Sequence, residues 1–435
     1  MLHDIRQELG PDFFSDGMQL SPEERAKEDA QKFADLRAAV YWGEIDRLPK
    51  LIRNGTNMYA VDDPVTKKTL IHVAAQRNQA ASILKLYQLR SLKKPNPILA
   101  VDFEGCNALH DAAKKSNLEA LQVLVELKAD LENRDLLGCT CLHKAAVSGD
   151  AKTMVELIKL KADMDGMDRD RETALHKVSR LGFNEIICLL VDRGADCEQP
   201  DKDGGTPLHL AANAGITATI DLLVEMGSSV DARDLTGGTP VHVAAMNGQN
   251  EAVHMLCSKF EADVNASDMY KESPLHRAAT LGKDDTVKLL VSLKAELNKE
   301  DKYKETPLHR AAAMGMESTI RALISLKAEA NYRDMDNRTP LHAAAAKWQR
   351  HAIVELVDRG CELDDTDKYG ETPLHRAAAM EFKDAMSHLV EMGSPIAAQN
   401  EKGESALQRQ ARQSKERKAM VRDVTDEPLV MAAWS

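Results

Sequence analysis

Histidine recurs at an almost fixed interval through most of this 435-residue chain. His72, His110, His143, His176, His209, His242, His276, His309, His342 and His375 are separated by 38, 33, 33, 33, 33, 34, 33, 33 and 33 residues. A chain of this length would ordinarily divide into two or three globular domains, each with its own core. Periodicity removes that expectation, because stacked units share one core that grows with the number of units. A further step of 33 lands on Gln408 in ESALQRQA, and 35 residues before His72 stands Arg37 in DLRAAVYWG. Both are degenerate copies, as terminal units are expected to be.

What surrounds each histidine also repeats. ESPLHRAATLG runs from Glu272 to Gly282, ETPLHRAAAMG from Glu305 to Gly315 and ETPLHRAAAME from Glu371 to Glu381. In the copy from Gly204 to Asp234, Thr206 reads as a helix N-cap and Pro207 takes the first helical position, where its missing N–H costs nothing. Leu208, Ala211 and Ala212 form a short inward face, and Gly215 supplies the left-handed turn that ends the helix. A second helix follows with Ile220, Leu222 and Leu223 inward, then Gly227 and an extended stretch leading to the next copy.

Helix, turn, helix and finger at 33 residues around T-P-L-H-x-A-A resembles the ankyrin repeat family. The resemblance covers roughly Phe33 to Arg412, with about ten clear copies and two degenerate caps. It implies an all-α solenoid of stacked helix-turn-helix units with short hairpin-like fingers, the fingers and first helices lining a concave groove. The expected organisation is an acidic lead-in over residues 1–32, the repeat array over 33–412, and a basic helical end with a short tail over 413–435. Ser21, Pro22 and Glu24 carry a capping-box signature for a lead-in helix. The repeat that holds Leu86 to Asp102 carries about five extra residues, expected in its second helix or its loop.

The repeated histidine is expected to be structural. A residue repeated once per unit forms a ladder along the array, whereas a metal needs three or four ligands converging at about 2.0 to 2.3 Å. The family's equivalent imidazole hydrogen-bonds near the neighbouring repeat's finger, which the resemblance implies here as well. Cys139, Cys141 and His143 are the one crowding of soft ligands, with no fourth ligand evident, so a reactive thiol is the alternative if Cys139 is exposed.

Seven cysteines without a C-x-x-C pair read as free thiols in a reducing compartment, cytosol or nucleus. The opening MLHDIRQELGPDFF lacks an apolar signal region, and no apolar run is long enough to insert in a membrane. A net charge of −12 argues against a nucleic-acid partner, since phosphate binding rests on lysine and arginine. No nucleotide-loop, nucleophile-elbow or zinc-protease motif is present, so the reading is non-catalytic, with no cofactor and no metal.

Shared positions are explained by folding, so function is sought where copies differ. Met246, Leu281, Met314 and Met380 follow the alanine pairs of their first helices and offer flexible apolar contacts to a partner. Tyr270, Tyr303 and Tyr369 share one finger position, with Asp336 breaking the row, and tyrosine there is suited to an interface. Arg277, Arg310 and Arg376 follow the motif histidine and form a basic stripe if they face the groove. Trp348 stands where five preceding repeats have glycine, so it either anchors a partner or fills a gap beside Phe382.

The resulting expectation is a monomeric scaffold or adaptor that binds protein partners, through an acidic or amphipathic segment, in the groove and at the finger tips. The alternative is an inhibitor that docks on and blocks one enzyme or transcription factor. The first four repeats lack the Thr-Pro or Ser-Pro start that six later ones carry, which predicts a less stable N-terminal part.

Overall fold

The computed structural model describes residues 21–54, 56–63, 65–91 and 95–426. The first twenty residues, most of the expected acidic lead-in, and the tail from 427 lie outside the described residues. The chain falls into two compact units, residues 1–174 and 175–435.

In the first unit Ser21 caps the helix Pro22–Trp42 with the expected reciprocal bonds, Ser21 Oγ accepting from Glu24 N–H at 3.2 Å and Glu24 Oε2 accepting from Ser21 N–H at 2.9 Å. This helix packs on Leu48–Arg53 and on Leu70–Gln76. The degenerate N-terminal copy is therefore a helix pair in its own right, one more than the ten read from the histidines. The extra residues after Leu86 enter the loop: the second helix Ala80–Gln88 has nine residues, like Leu118–Glu126 and Ala151–Lys159. One finger of this unit is a two-stranded antiparallel hairpin, Val61–Asp63 with Lys68–Thr69; helices make up the rest of the regular structure described, and the fold is all-α.

The second unit holds the regular copies. First helices Pro207–Ala214, Pro240–Asn247, Pro274–Thr280, Pro307–Met314, Pro340–Ala346 and Pro373–Ala379 pack one on the next, and Pro373–Ala379 packs on the C-terminal helix Ala406–Asp426. Leu208, Ala211, Ala212, Ile220 and Leu223 are fully buried, and the same positions are buried in each following copy. The alanines are there because backbones approach closely along this row. Leu222, expected inside, is half-buried; Thr219 takes the inward place and donates to Asn184 Oδ1 of the preceding repeat at 2.6 Å. Positions 219 and 222 lie only about 60° apart around the helix axis, a difference that apolar character alone does not resolve.

The histidines do what their spacing suggests. Nε2 of His309 lies 3.0 Å from the carbonyl oxygen of Arg338, one repeat on, and His209, His242, His276, His342 and His375 make the same bond at 2.9 to 3.2 Å. In the first unit His72, His110 and His143 do so with Cys106, Cys139 and Glu172. Because a carbonyl only accepts, Nε2 carries the proton, leaving Nδ1 to accept from the N-cap N–H, at 3.1 Å for Thr306 and His309. The imidazole thus serves its own helix as the glutamate of a capping box does and at the same time holds the next finger.

Candidate functional site

Each finger turns on one aspartate. Asp301 Oδ1 accepts from Tyr303 N–H at 2.7 Å and Glu305 N–H at 2.9 Å, and Asp301 N–H donates to the Glu305 carbonyl at 3.0 Å. The pinned turn leaves the Tyr303 ring outward and 46% exposed. Asp268 holds Tyr270, and Asp367 holds Tyr369, in the same way. Successive fingers are stitched by single backbone bonds, such as Lys302 N–H to the Tyr270 carbonyl at 2.9 Å and Met335 N–H to the Tyr303 carbonyl at 3.0 Å.

The tyrosines are both exposed and packed. Lys302 places its ammonium 4.0 Å from the centre of the Tyr270 ring and 4.9 Å from that of Tyr303, and Lys368 lies 5.0 Å from that of Tyr369. Cation–π contact of this kind orients a ring without covering it. Leu235, Met269 and Met335, one residue earlier or alone on their fingers, are also exposed. Sequence reasoning missed them, although their place directly after the turn aspartate was a usable signal.

The groove positions divide. Leu281, Met314 and Met380 are exposed at the ends of their first helices, Met314 by 47%. Met246 sits one position earlier in its copy and is half-buried, lining a small recess with Asp234, His242, Val243 and Arg277. It does not belong to the exposed row.

The basic stripe is realised as a set of internal ion pairs. Arg277 Nη2 is 2.6 Å from Asp268 Oδ2 and Arg310 Nη2 is 2.6 Å from Asp301 Oδ2, while Arg376 pairs with Asp367; all three carboxylates are fully buried. Neighbouring glutamates add to this: Glu272 receives Arg277 at 3.1 Å and Arg310 at 2.8 Å. Lys144 does the same for Asp135, at 2.5 Å. These cations are spent on buried carboxylates that burial would otherwise penalise. The constant spacing of nine residues between aspartate and arginine marks the pairing in the sequence.

Trp348 keeps the left-handed backbone of the glycines it replaces, with φ +54°. Its ring is half-buried and meets His388 edge to face at 6.5 Å between centres.

Cys139 and Cys141 are buried, which removes the condition for a reactive Cys139. Burial pushes the Cys141 thiol far above the ordinary range, and the Cys106 thiol to about 12. Asp102, Glu104 and Cys106 are the one acidic and thiol trio among the described residues close enough to converge on a metal. Asp102 is already engaged. Asp102 Oδ1 accepts from the N–H groups of Glu104 and Cys106, both at 2.9 Å, and Lys68 takes Oδ2 at 2.9 Å. Cys106 Sγ lies 3.7 Å from Asp135 Oδ2.

No described helix is long and apolar enough to cross a membrane. A family model described as ankyrin repeats, three copies, matches residues 36–135, 127–201, 182–268, 275–367 and 308–400. No curated protein matches the chain.

Proposed function

Because the chain belongs to the ankyrin repeat family, whose repeats generally mediate protein–protein contact, we propose that it is a non-catalytic scaffold or adaptor of the cytosol or nucleus, acting as a monomer. Its partner lies along the fingers and first-helix ends of residues 269–380. The observation that carries this reading is the run of exposed apolar and aromatic side chains there: Tyr270, Tyr303 and Tyr369 on the fingers, Leu281, Met314 and Met380 beside them. Tyrosine and methionine supply large, adaptable contact area at modest entropic cost. Of the two partner chemistries, the amphipathic segment is favoured over the acidic one. Arg277, Arg310 and Arg376 already have carboxylates and offer little free positive charge.

Affinity purification from native lysate with wild type and a Tyr303→Ala/Met314→Ala double variant tests the reading. Neither side chain belongs to the buried core, so melting temperature should stay within about 2 °C, while partner binding weakens by about 2 kcal/mol or more, the scale of a truncated hot spot. Equal recovery of the partner by a normally folded double variant defeats it. Two partners held at once by one molecule indicate a scaffold; a single partner whose activity is lost on binding indicates an inhibitor.

A further inference from the structure

Resting on the reading that this half of the chain takes a protein partner, we propose that the surface over Ala343 receives an arginine side chain from that partner, held between Asp334 and Glu305. The argument starts from the nine-residue pairing. In three repeats the turn aspartate caps its finger with Oδ1 and gives Oδ2 to a guanidinium nine residues on, as Asp301 does with Arg310 at 2.6 Å. Asp334 makes the same turn, Oδ1 accepting from the N–H groups of Asp336 and Arg338 at 2.8 Å each. Nine residues on stands Ala343, too short to reach it. Asp334 is only 6% exposed, and no described residue donates a hydrogen bond or ion pair to its Oδ2.

A second oxygen comes to the same place. The finger glutamate of one repeat reaches the guanidinium of the next: Glu272 Oε1 meets Arg310 at 2.8 Å, and Glu371 Oε1 meets Arg409 at 2.7 Å. Glu305 stands at that position one repeat before Ala343. Its Oε2 lies 3.2 Å from Arg310 Nε, and no described cation pairs with its Oε1. Two carboxylate oxygens on neighbouring fingers therefore flank the position at which sister repeats hold one guanidinium. Arg338, on the same finger as Asp334, pairs through Nη2 with Asp336, which also takes Lys368 at 2.6 Å.

The ligand chemistry follows from what fills the sister positions. A planar fork of N–H donors spans an aspartate and a glutamate on adjacent fingers, which an ammonium on a flexible stem matches less well. Elsewhere in this unit the position carries Leu210 or Val243, half-buried branched side chains larger than alanine. Ala343 leaves it open. A buried carboxylate with one oxygen uncompensated gains from any guanidinium that can reach it, and a partner lying along Tyr303 and Met335 passes beside it.

The test uses the full chain with alanine methyl groups labelled for NMR and a probe peptide, acetyl-Gly-Arg-Gly-amide, against its citrulline analogue, which has the same shape without charge. Saturable shifts of the Ala343 and Ala346 methyl signals with the arginine peptide are expected. The apparent affinity should be at least fivefold weaker with citrulline, and the Ala346 response should be lost in Asp334→Asn and in Ala343→Arg. An equal response to the two peptides, no response to either, or a full response in Asp334→Asn overturns the proposal. Independently, Ala343→Arg should supply the guanidinium in cis and raise the melting temperature by about 2 °C over Ala343→Gln; a value at or below that of Ala343→Gln shows that the two oxygens do not serve one guanidinium, and overturns it too. Failure here leaves the Tyr303/Met314 result untouched, so the two readings fall separately.

Discussion

His309 binds its own helix start and the next finger with opposite ring nitrogens: Nδ1 accepts from Thr306 N–H at 3.1 Å, and Nε2 donates to the Arg338 carbonyl at 3.0 Å. The ring is almost wholly buried. Replacing it leaves a buried N–H and a buried carbonyl without partners, so His309→Ala should lower stability by about 1 to 3 kcal/mol. Chemical denaturation measures the loss. Mass spectrometry of the purified native protein should find no stoichiometric zinc or iron, and finding either contradicts the structural role of the ladder.

Stability should fall as pH drops from about 6.5 toward 4. Burial lowers the affinity of His72, His110, His209, His242, His276, His309 and His342 for a proton, to a pKa of about 4 for His276 and His342. The unfolded chain, with ordinary imidazoles, takes up protons that the folded chain refuses, so acid favours unfolding across that window. Because several rings share the behaviour, the slope of unfolding free energy against pH should exceed that of a single proton. Denaturation at pH 7, 6, 5 and 4.5 checks this, and a flat profile refutes it.

Lys271 and Lys304 hold left-handed backbone at φ +58° and +59°, in the turn place that Gly204, Gly237 and Gly370 take in other fingers. Both side chains are exposed and form no hydrogen bond or ion pair with a described residue. Lys304→Gly should therefore stabilise the protein by about 0.5 to 1 kcal/mol, the left-handed penalty of a side chain less the extra freedom of glycine when unfolded. Thermal melts of both single variants decide it; destabilisation by either counts against the turn geometry.

Repeats before Asp201 should open more readily than those after it. Their first helices start at Leu70, Ala108, Cys141 and Ala174, whereas the later six start at proline, which restricts the unfolded chain and so favours the fold. In an array bound by nearest-neighbour contacts such a difference stays local. Hydrogen exchange should show faster amides before Asp201, and uniform protection from Phe33 to Met392 argues against it.

Much of the fold was legible because the determinants are local and repeated. Thr206, Pro207 and Gly215 each act within a few residues of themselves, and the spacing of the histidines, whose rings reach the next finger, carried the rest. The inward turn of Thr219 in place of Leu222 was not legible, since it depends on a hydrogen bond to Asn184 in another repeat. The arginines show the same limit at the candidate site. Arg310 reads as a free surface charge until the fold brings it to Asp301 and Glu272, and only then does Ala343 become conspicuous. For Trp348 the sequence showed only a bulky residue in a glycine position; that it keeps the left-handed backbone and meets His388 in the next repeat emerges only from the fold.

The bond from each histidine to the following finger spans 29 residues in most copies, 30 from His242 to Glu272 and 34 from His72 to Cys106. Both ends of every such link belong to a pattern that restarts one unit later. Cutting out one whole unit within the second part of the chain therefore hands the orphaned imidazole an equivalent carbonyl, and pasting one in does likewise. Removing a single residue from a helix offers no such substitute. Length in this molecule can change in quanta, and a lineage that gains or loses a quantum alters how far a partner is gripped without having to reinvent the grip.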